Sequence, residues 1–386
     1  GRAAEATSAY QAVVSGYPLS SESPAAAYLA GVGLLDQERF LAAVPYFQLV
    51  LDRYAQEDDE GTFVFASPEH HELVEASLCL LELSYYRAGD LGQLSGVPHL
   101  VLRRMPASAS PWRAYALLID ADALASQARH EEAQEVLETL IAEVGAEHIA
   151  AFIAEPILCS GGIIVPPPGY HRRTLEICRA NDILYISDEV VTGFGRLGHW
   201  FASQPMFDIV PDIITSAKGL TSGYLPLGAC IISDAVIKRI ADAPGDDVFY
   251  NGYTYSGHPV SCAAAIKNIE IMEREDIIGH VRRVTPQFQD RLHRIKDKFP
   301  IVGDVRGDGL LGCVECKPEL QVETYEAHLK FGQKLDDACE EMGLLLRPFG
   351  NMAVFSPPLI ITPQQIDEMF DIMEAGMAKV SKDYGA

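Results

Sequence analysis

Lys218 follows a short apolar run, Ile213-Ile214-Thr215-Ser216-Ala217, and precedes Gly219. It is the first lysine of the chain, and the other nine all lie after it. Two neighbouring segments have the same form: Ala150-Ala151-Phe152-Ile153-Ala154 ends in Glu155-Pro156, and Ile183-Leu184-Tyr185-Ile186-Ser187 ends in Asp188-Glu189. Near-continuous apolar runs separated by helix-length stretches predict parallel strands with both faces covered. Ligands of open α/β sheets bind beyond the carboxyl ends of such strands. An amine and carboxylates delivered to that edge predict a site, and a lysine there suggests Schiff-base chemistry.

The elements that must position these residues are set in a chain of 386 residues, long enough for two or three domains. It is 48% hydrophobic with no apolar stretch long enough to span a bilayer, which predicts a soluble protein with a sizeable core. A formal charge of −24 argues against nucleic acid and anionic membrane surfaces as partners. The start, Gly1-Arg2-Ala3-Ala4-Glu5, has no signal-peptide pattern. The eight cysteines are scattered and mostly sit in apolar runs, such as Cys178, Cys230 and Cys262, as reduced core thiols of a cytoplasmic protein do. Cys313-Val314-Glu315-Cys316 has half-site spacing but no completing pair, so it is assigned to a strand and no metal is expected.

Residues 1–133 contain no lysine and are rich in alanine and leucine at helical spacing. The stretches Leu34 to Leu51, Leu83 to Leu91 and Ala123 to Ala133 each join a short turn to an apolar face, and Ala9 to Pro18 is similar to the second helix of a pair. They resemble tetratricopeptide repeats, whose helix pairs stack to bury faces that no pair buries alone. A generic helical bundle is the alternative. Helical arrays of this kind bind peptides or partner proteins by fold analogy. Glu135 to Gly145 either closes this module or opens the next one, with Gly145 suited to a helix C-cap.

From about residue 134 the chain resembles the class III, or ω-amino acid, aminotransferases, pyridoxal 5'-phosphate enzymes of fold type I. The resemblance rests on ordered motifs: Ala151 to Pro156, Ser187 to Arg196, Ala217-Lys218-Gly219, Tyr253 to Pro259, Arg347 to Asn351, and Ser356 to Leu359. It implies an α/β fold, with a partial large cofactor-binding domain at 134–272, a small C-terminal α/β domain at 273–386, and the all-α repeat-like module at 1–133 before them. The resemblance implies a catalytic role for Lys218 and Asp188: Lys218 forms the internal aldimine and then carries a proton, and Asp188 keeps the pyridine nitrogen protonated. Val190 packs behind the ring. Thr254 binds the cofactor phosphate of the other subunit, which implies a homodimer. Arg347 pairs with a substrate carboxylate.

Ser160 stands where ornithine- and γ-aminobutyrate-type members have a masking glutamate, and Val191 where they have glutamine. Both favour the branch that moves an amino group from an amine or β/ω-amino acid to pyruvate. The glycine/serine loop that cups the phosphate and the aromatic that stacks on the ring are not found, so the front of the pocket is expected to be incomplete. The rival expectation is a non-catalytic fusion, with the helical module binding a protein and the aminotransferase portion serving structure. Racemisation or decarboxylation on the same Lys218/Asp188 pair is a third.

Overall fold

The computed structural model describes residues 2–18, 20–57, 63–65, 70–88, 130–242, 251–317 and 325–384. They form two compact units, Gly1–Ile149 and Ala150–Ala386.

In the first unit, helices α1 (Arg2–Gly16), α2 (Ser23–Leu35), α3 (Phe40–Tyr54) and α4 (His71–Ala88) follow one another, and each packs on the next. A two-stranded ribbon, β1 (Ala55–Glu57) with β2 (Phe63–Phe65), lies between α3 and α4 in the chain. The seam between α2 and α3 joins small residues to a large one. Ala27 and Ala30 are fully buried, and a Cβ on Gly31 would come within 2.7 Å of the Phe47 ring. Phe47 is itself fully buried, with its ring centroid 6.2 Å from that of Tyr28. Residues 123–129 of the third repeat-like stretch lie outside the described residues. Helix α5 (His130–Val144) ends at Gly145, whose positive φ of +86° favours glycine, although its ψ of 126° lies outside the left-handed helical region of the usual C-cap.

The second unit holds two sheets. In the first, β3 (Ala151–Ala154), β4 (Leu184–Asp188), β5 (Ile213–Ser216) and β6 (Ala229–Ile232) lie in that order. Pairing is parallel between β3 and β4 and between β4 and β5, whereas β6 runs antiparallel to β5. Helices α6 (Tyr170–Ala180) and α7 (Ser203–Phe207) fall in the crossovers, and α8 (Asp234–Ala241) and α9 (Pro259–Arg274) follow β6. The expectation of strands covered on both faces is corrected here. Ile153 is 58% exposed and Ile231 45%, and Cys230 is exposed rather than a core thiol. The apolar residues identify strands correctly, but Cys230 and Ile231 are consecutive and point to opposite faces. Among the described residues, then, neither face of β6 is fully covered, nor is the Ile153 face of β3.

The long helix α10 (Ile277–Lys298) leads to the second sheet, β7 (Val302–Asp308), β8 (Leu311–Cys316), β9 (Arg347–Phe349) and β10 (Met352–Phe355), in the order β7-β8-β10-β9 and antiparallel throughout. Between β8 and β9 lies α11 (Tyr325–Glu340), and the described fold ends with α12 (Pro363–Ser381). The core here is dense. Phe370 is fully buried with its ring centroid 5.4 Å from those of both Phe288 and Phe355. Ile366, Met369, Phe370 and Met373 bury the expected stripe of α12, and Thr362 opens that helix with a reciprocal capping box to Gln365. Cys313 and Cys316 are buried on β8, and burial pushes the Cys313 thiol up to about 12.

Candidate active site

Asp188 is the last residue of β4 and pairs in register with Thr215 of the adjacent parallel strand, three residues before Lys218. Amine and carboxylate therefore leave the sheet at one edge, at the carboxyl ends of neighbouring strands. One oxygen of Asp188, Oδ1, accepts the Val190 backbone N–H at 3.0 Å, which turns the chain out of the strand. Its other oxygen has no protein partner among the described residues.

Strand β5 ends at Ser216, and the chain then makes a single 3-10 turn over Lys218–Leu220. Lys218 has a φ of +36°, a left-handed conformation that a side chain beyond Cβ disfavours. Strain of this kind persists only where surrounding contacts hold it, and it concentrates at functional positions. Two contacts hold this turn. The Asn268 side chain of α9 donates to the carbonyls of Gly219 at 2.9 Å and Leu220 at 3.1 Å. Gly219 also sits so close to Phe194 that a Cβ would lie 2.8 Å from the Phe194 Cβ. The Lys218 side chain is exposed and has no ion-pair partner among the described residues.

Glu155 ends the third member of the trio, just past β3. Its carboxylate accepts the Cys159 N–H at 3.0 Å and the Ser160 hydroxyl at 3.0 Å, closing the loop that follows. Burial, then the neighbouring Glu155 carboxylate, pushes the Cys159 thiol well above the usual range, so it is no nucleophile. The loop packs through Ile157, Cys159 and Ile163 against Leu197, Leu311 and Cys313, which ties it to the second sheet. Arg196 makes a parallel tie. Its guanidinium donates to the carbonyls of Leu310 at 3.2 Å and Pro357 at 2.5 Å, and burial lowers its pKa to about 10.

The remaining candidates are placed less closely. Val190 is half-buried directly after the Asp188 turn, and Thr254 lies in an exposed turn between Tyr253 and Ser256. Arg347 begins the edge strand β9, exposed, with its guanidinium carbon 5.6 Å from the Phe349 ring centroid. Glu189, Arg196 and Asn268 escaped the reading of the sequence as site residues, because the backbone groups they bind lie far along the chain.

The residues present fit the ring and aldehyde end of pyridoxal phosphate: Asp188 has an oxygen to spare for the pyridine nitrogen, and Lys218 has an accessible amine. At the phosphate end, the exposed Thr254 turn is the segment among the described residues that the resemblance assigns as a donor.

Comparison with known proteins gives one consistent result. A sequence model of the family described as Aminotransferase class-III matches residues 107–377, starting within the segment assigned to the helical module. Over 241 residues the chain is 43% identical to the putrescine–pyruvate aminotransferase of Pseudomonas aeruginosa, covering 62% of this chain and 52% of that protein. It is 41% identical over 238 residues to a probable gamma-aminobutyrate transaminase of Oryza sativa subsp. japonica, covering 61% and 49%. The crystal structure of an amine transaminase from an uncultivated Pseudomonas species, with bound pyridoxal phosphate, superposes with a TM-score of 0.61 at 39% identity, covering 66% of this chain and 58% of that one. The chain thus spans about half the length of the curated relatives it matches.

Proposed function

Since the chain belongs to the class III aminotransferases, which depend on pyridoxal phosphate, we propose that its Ala150–Ala386 unit transfers an amino group from an amine or β/ω-amino acid to pyruvate. The observation that carries this reading is the delivery of Asp188 and Lys218 to one sheet edge, beyond the ends of adjacent parallel strands, with one carboxylate oxygen unpartnered among the described residues and the amine exposed. When bound, the cofactor supplies an electron sink for the carbanion left when the donor loses its α-proton.

The protein residues do the rest. Lys218 holds the cofactor through its amine and afterwards, freed but tethered beside the donor carbon, carries the proton. Asp188 turns its unpartnered oxygen to the ring nitrogen and holds the proton there. Val190 packs behind the ring. Thr254 gives its hydroxyl to the phosphate bound by a second copy, so the working form is a homodimer. Arg347 pairs with a substrate carboxylate through its planar fork. Resting near Phe349, it can leave for apolar donors at small cost. Ser160, which carries no charge, stands where ornithine- and γ-aminobutyrate-type members have the glutamate that masks this arginine.

The small-against-large packing of α2 on α3 supports a tetratricopeptide-like array for the first unit, and a protein partner for it is proposed by fold analogy alone. The eight free thiols, mostly buried, fit a reducing cytoplasm. No helix of the described residues is long and apolar enough to cross a membrane. The test supplies saturating pyridoxal phosphate, pyruvate and putrescine or β-alanine. Slow alanine formation that Lys218→Ala abolishes is the expected result. Equal rates with and without Lys218 overturn the reading.

A further inference from the structure

We infer that Glu189 is the residue that positions Asp188, an inference that rests on the roles proposed above for Asp188 and Lys218. Glu189 follows Asp188 directly and is fully buried. Its backbone N–H donates to the Thr215 carbonyl at 2.9 Å, extending the β4–β5 ladder one residue past Asp188. Its carboxylate has every strong acceptor direction engaged. Oε1 accepts the Ser203 N–H at 2.8 Å and the Ser203 hydroxyl at 2.5 Å. Oε2 accepts the Ala202 N–H at 2.9 Å and the Thr192 hydroxyl at 2.7 Å.

Each oxygen thus holds one backbone N–H and one hydroxyl. Because the Ser203 hydroxyl is spent on Glu189, the Ser187 hydroxyl is the donor in the 2.8 Å bond between the two serines. The network therefore grips both neighbours of Asp188, Ser187 and Glu189. Alternation along the strand puts their buried side chains on one face and Asp188 on the other. A carboxylate is what the geometry demands. In a glutamine, the amide group would face either the Ala202 or the Ser203 N–H, and neither backbone donor can turn away. The clash would shift the end of β4, and the Asp188 carboxylate with it.

The test uses the full chain, saturated with pyridoxal phosphate and reduced with borohydride, so that the ring is held covalently whatever its affinity. The adduct is mapped to Lys218, and the ring nitrogen is titrated by absorbance. Wild-type protein is expected to keep that nitrogen protonated about one pH unit or more above free phosphopyridoxyl-lysine, and Asp188→Asn to abolish the difference. Glu189→Gln is expected to remove at least half of it. Thr192→Val, which keeps the carboxylate but deletes one donor, should shift the titration in the same direction, and it decides the matter if Glu189→Gln does not fold. An adduct away from Lys218, or a wild-type titration equal to the free compound, overturns the Asp188 and Lys218 roles and this inference with them. A shift in wild type that Asp188→Asn removes but both other variants retain overturns the role of Glu189 alone.

Discussion

Lys218 combines a left-handed backbone, an exposed amine and a turn held by Asn268 and by the close approach of Gly219 to Phe194. That arrangement makes Gly219 as specific as the lysine. Gly219→Ala would force Phe194 and the Lys218 turn apart, and it should lower cofactor trapping on Lys218 severalfold while the fold persists. Quantitative peptide mapping after borohydride reduction checks this, and unchanged trapping would contradict it. Arg347 makes a different claim. A bidentate pair that loses one partner costs about 2–5 kcal/mol, so Arg347→Ala should depress kcat/KM for β-alanine far more than for a carboxylate-free amine. Equal losses with the two donors would remove Arg347 from substrate binding.

At the scale of elements, the site depends on loops tied across the second unit. The 189–202 turn is closed at its two ends by Glu189, which accepts the Ala202 and Ser203 N–H groups, and tied at its middle by Arg196 to Leu310 and Pro357. Removing Arg196 leaves two buried carbonyls without their charged donor, at about 1.5–3 kcal/mol each way such bonds are usually valued. Arg196→Ala should therefore lower the stability of the chain by about 2 kcal/mol or more in chemical denaturation. The densest core makes the same point more strongly: Phe370→Ala, between Phe288 and Phe355, should cost about 3–5 kcal/mol. What the sequence showed and what it hid divide along this line. Asp188 and Lys218 stood out because each breaks a local apolar run at a strand end. The α12 stripe stood out because its buried residues repeat at helical spacing. Glu189 and Asn268 read as ordinary polar residues, since the backbone groups they hold lie 13 to 49 residues away and only tertiary folding brings them together. The exposure of β3 and β6 was equally hidden, because strand-forming residues look alike whether or not a layer covers them.

For the molecule as a whole, Lys218, Asp188 and Arg347 are all exposed or half-exposed, and the Thr254 turn is exposed. A phosphate dianion needs several aligned donors to replace its water. With only the Thr254 turn assigned to this task among the described residues, this chain should bind pyridoxal phosphate about two orders of magnitude more weakly than the putrescine–pyruvate aminotransferase it resembles, as an absorbance titration of the two would show. Weak binding leaves the chemistry at Lys218 intact but makes its demonstration depend on a covalent trap. The measurement is therefore borohydride reduction of the full chain with excess pyridoxal phosphate, followed by mass-spectrometric mapping of every modified lysine. An adduct concentrated on Lys218, ahead of the nine lysines that follow it, is the predicted result. Modification spread over the other surface lysines, with Lys218 no more reactive than they are, would contradict it.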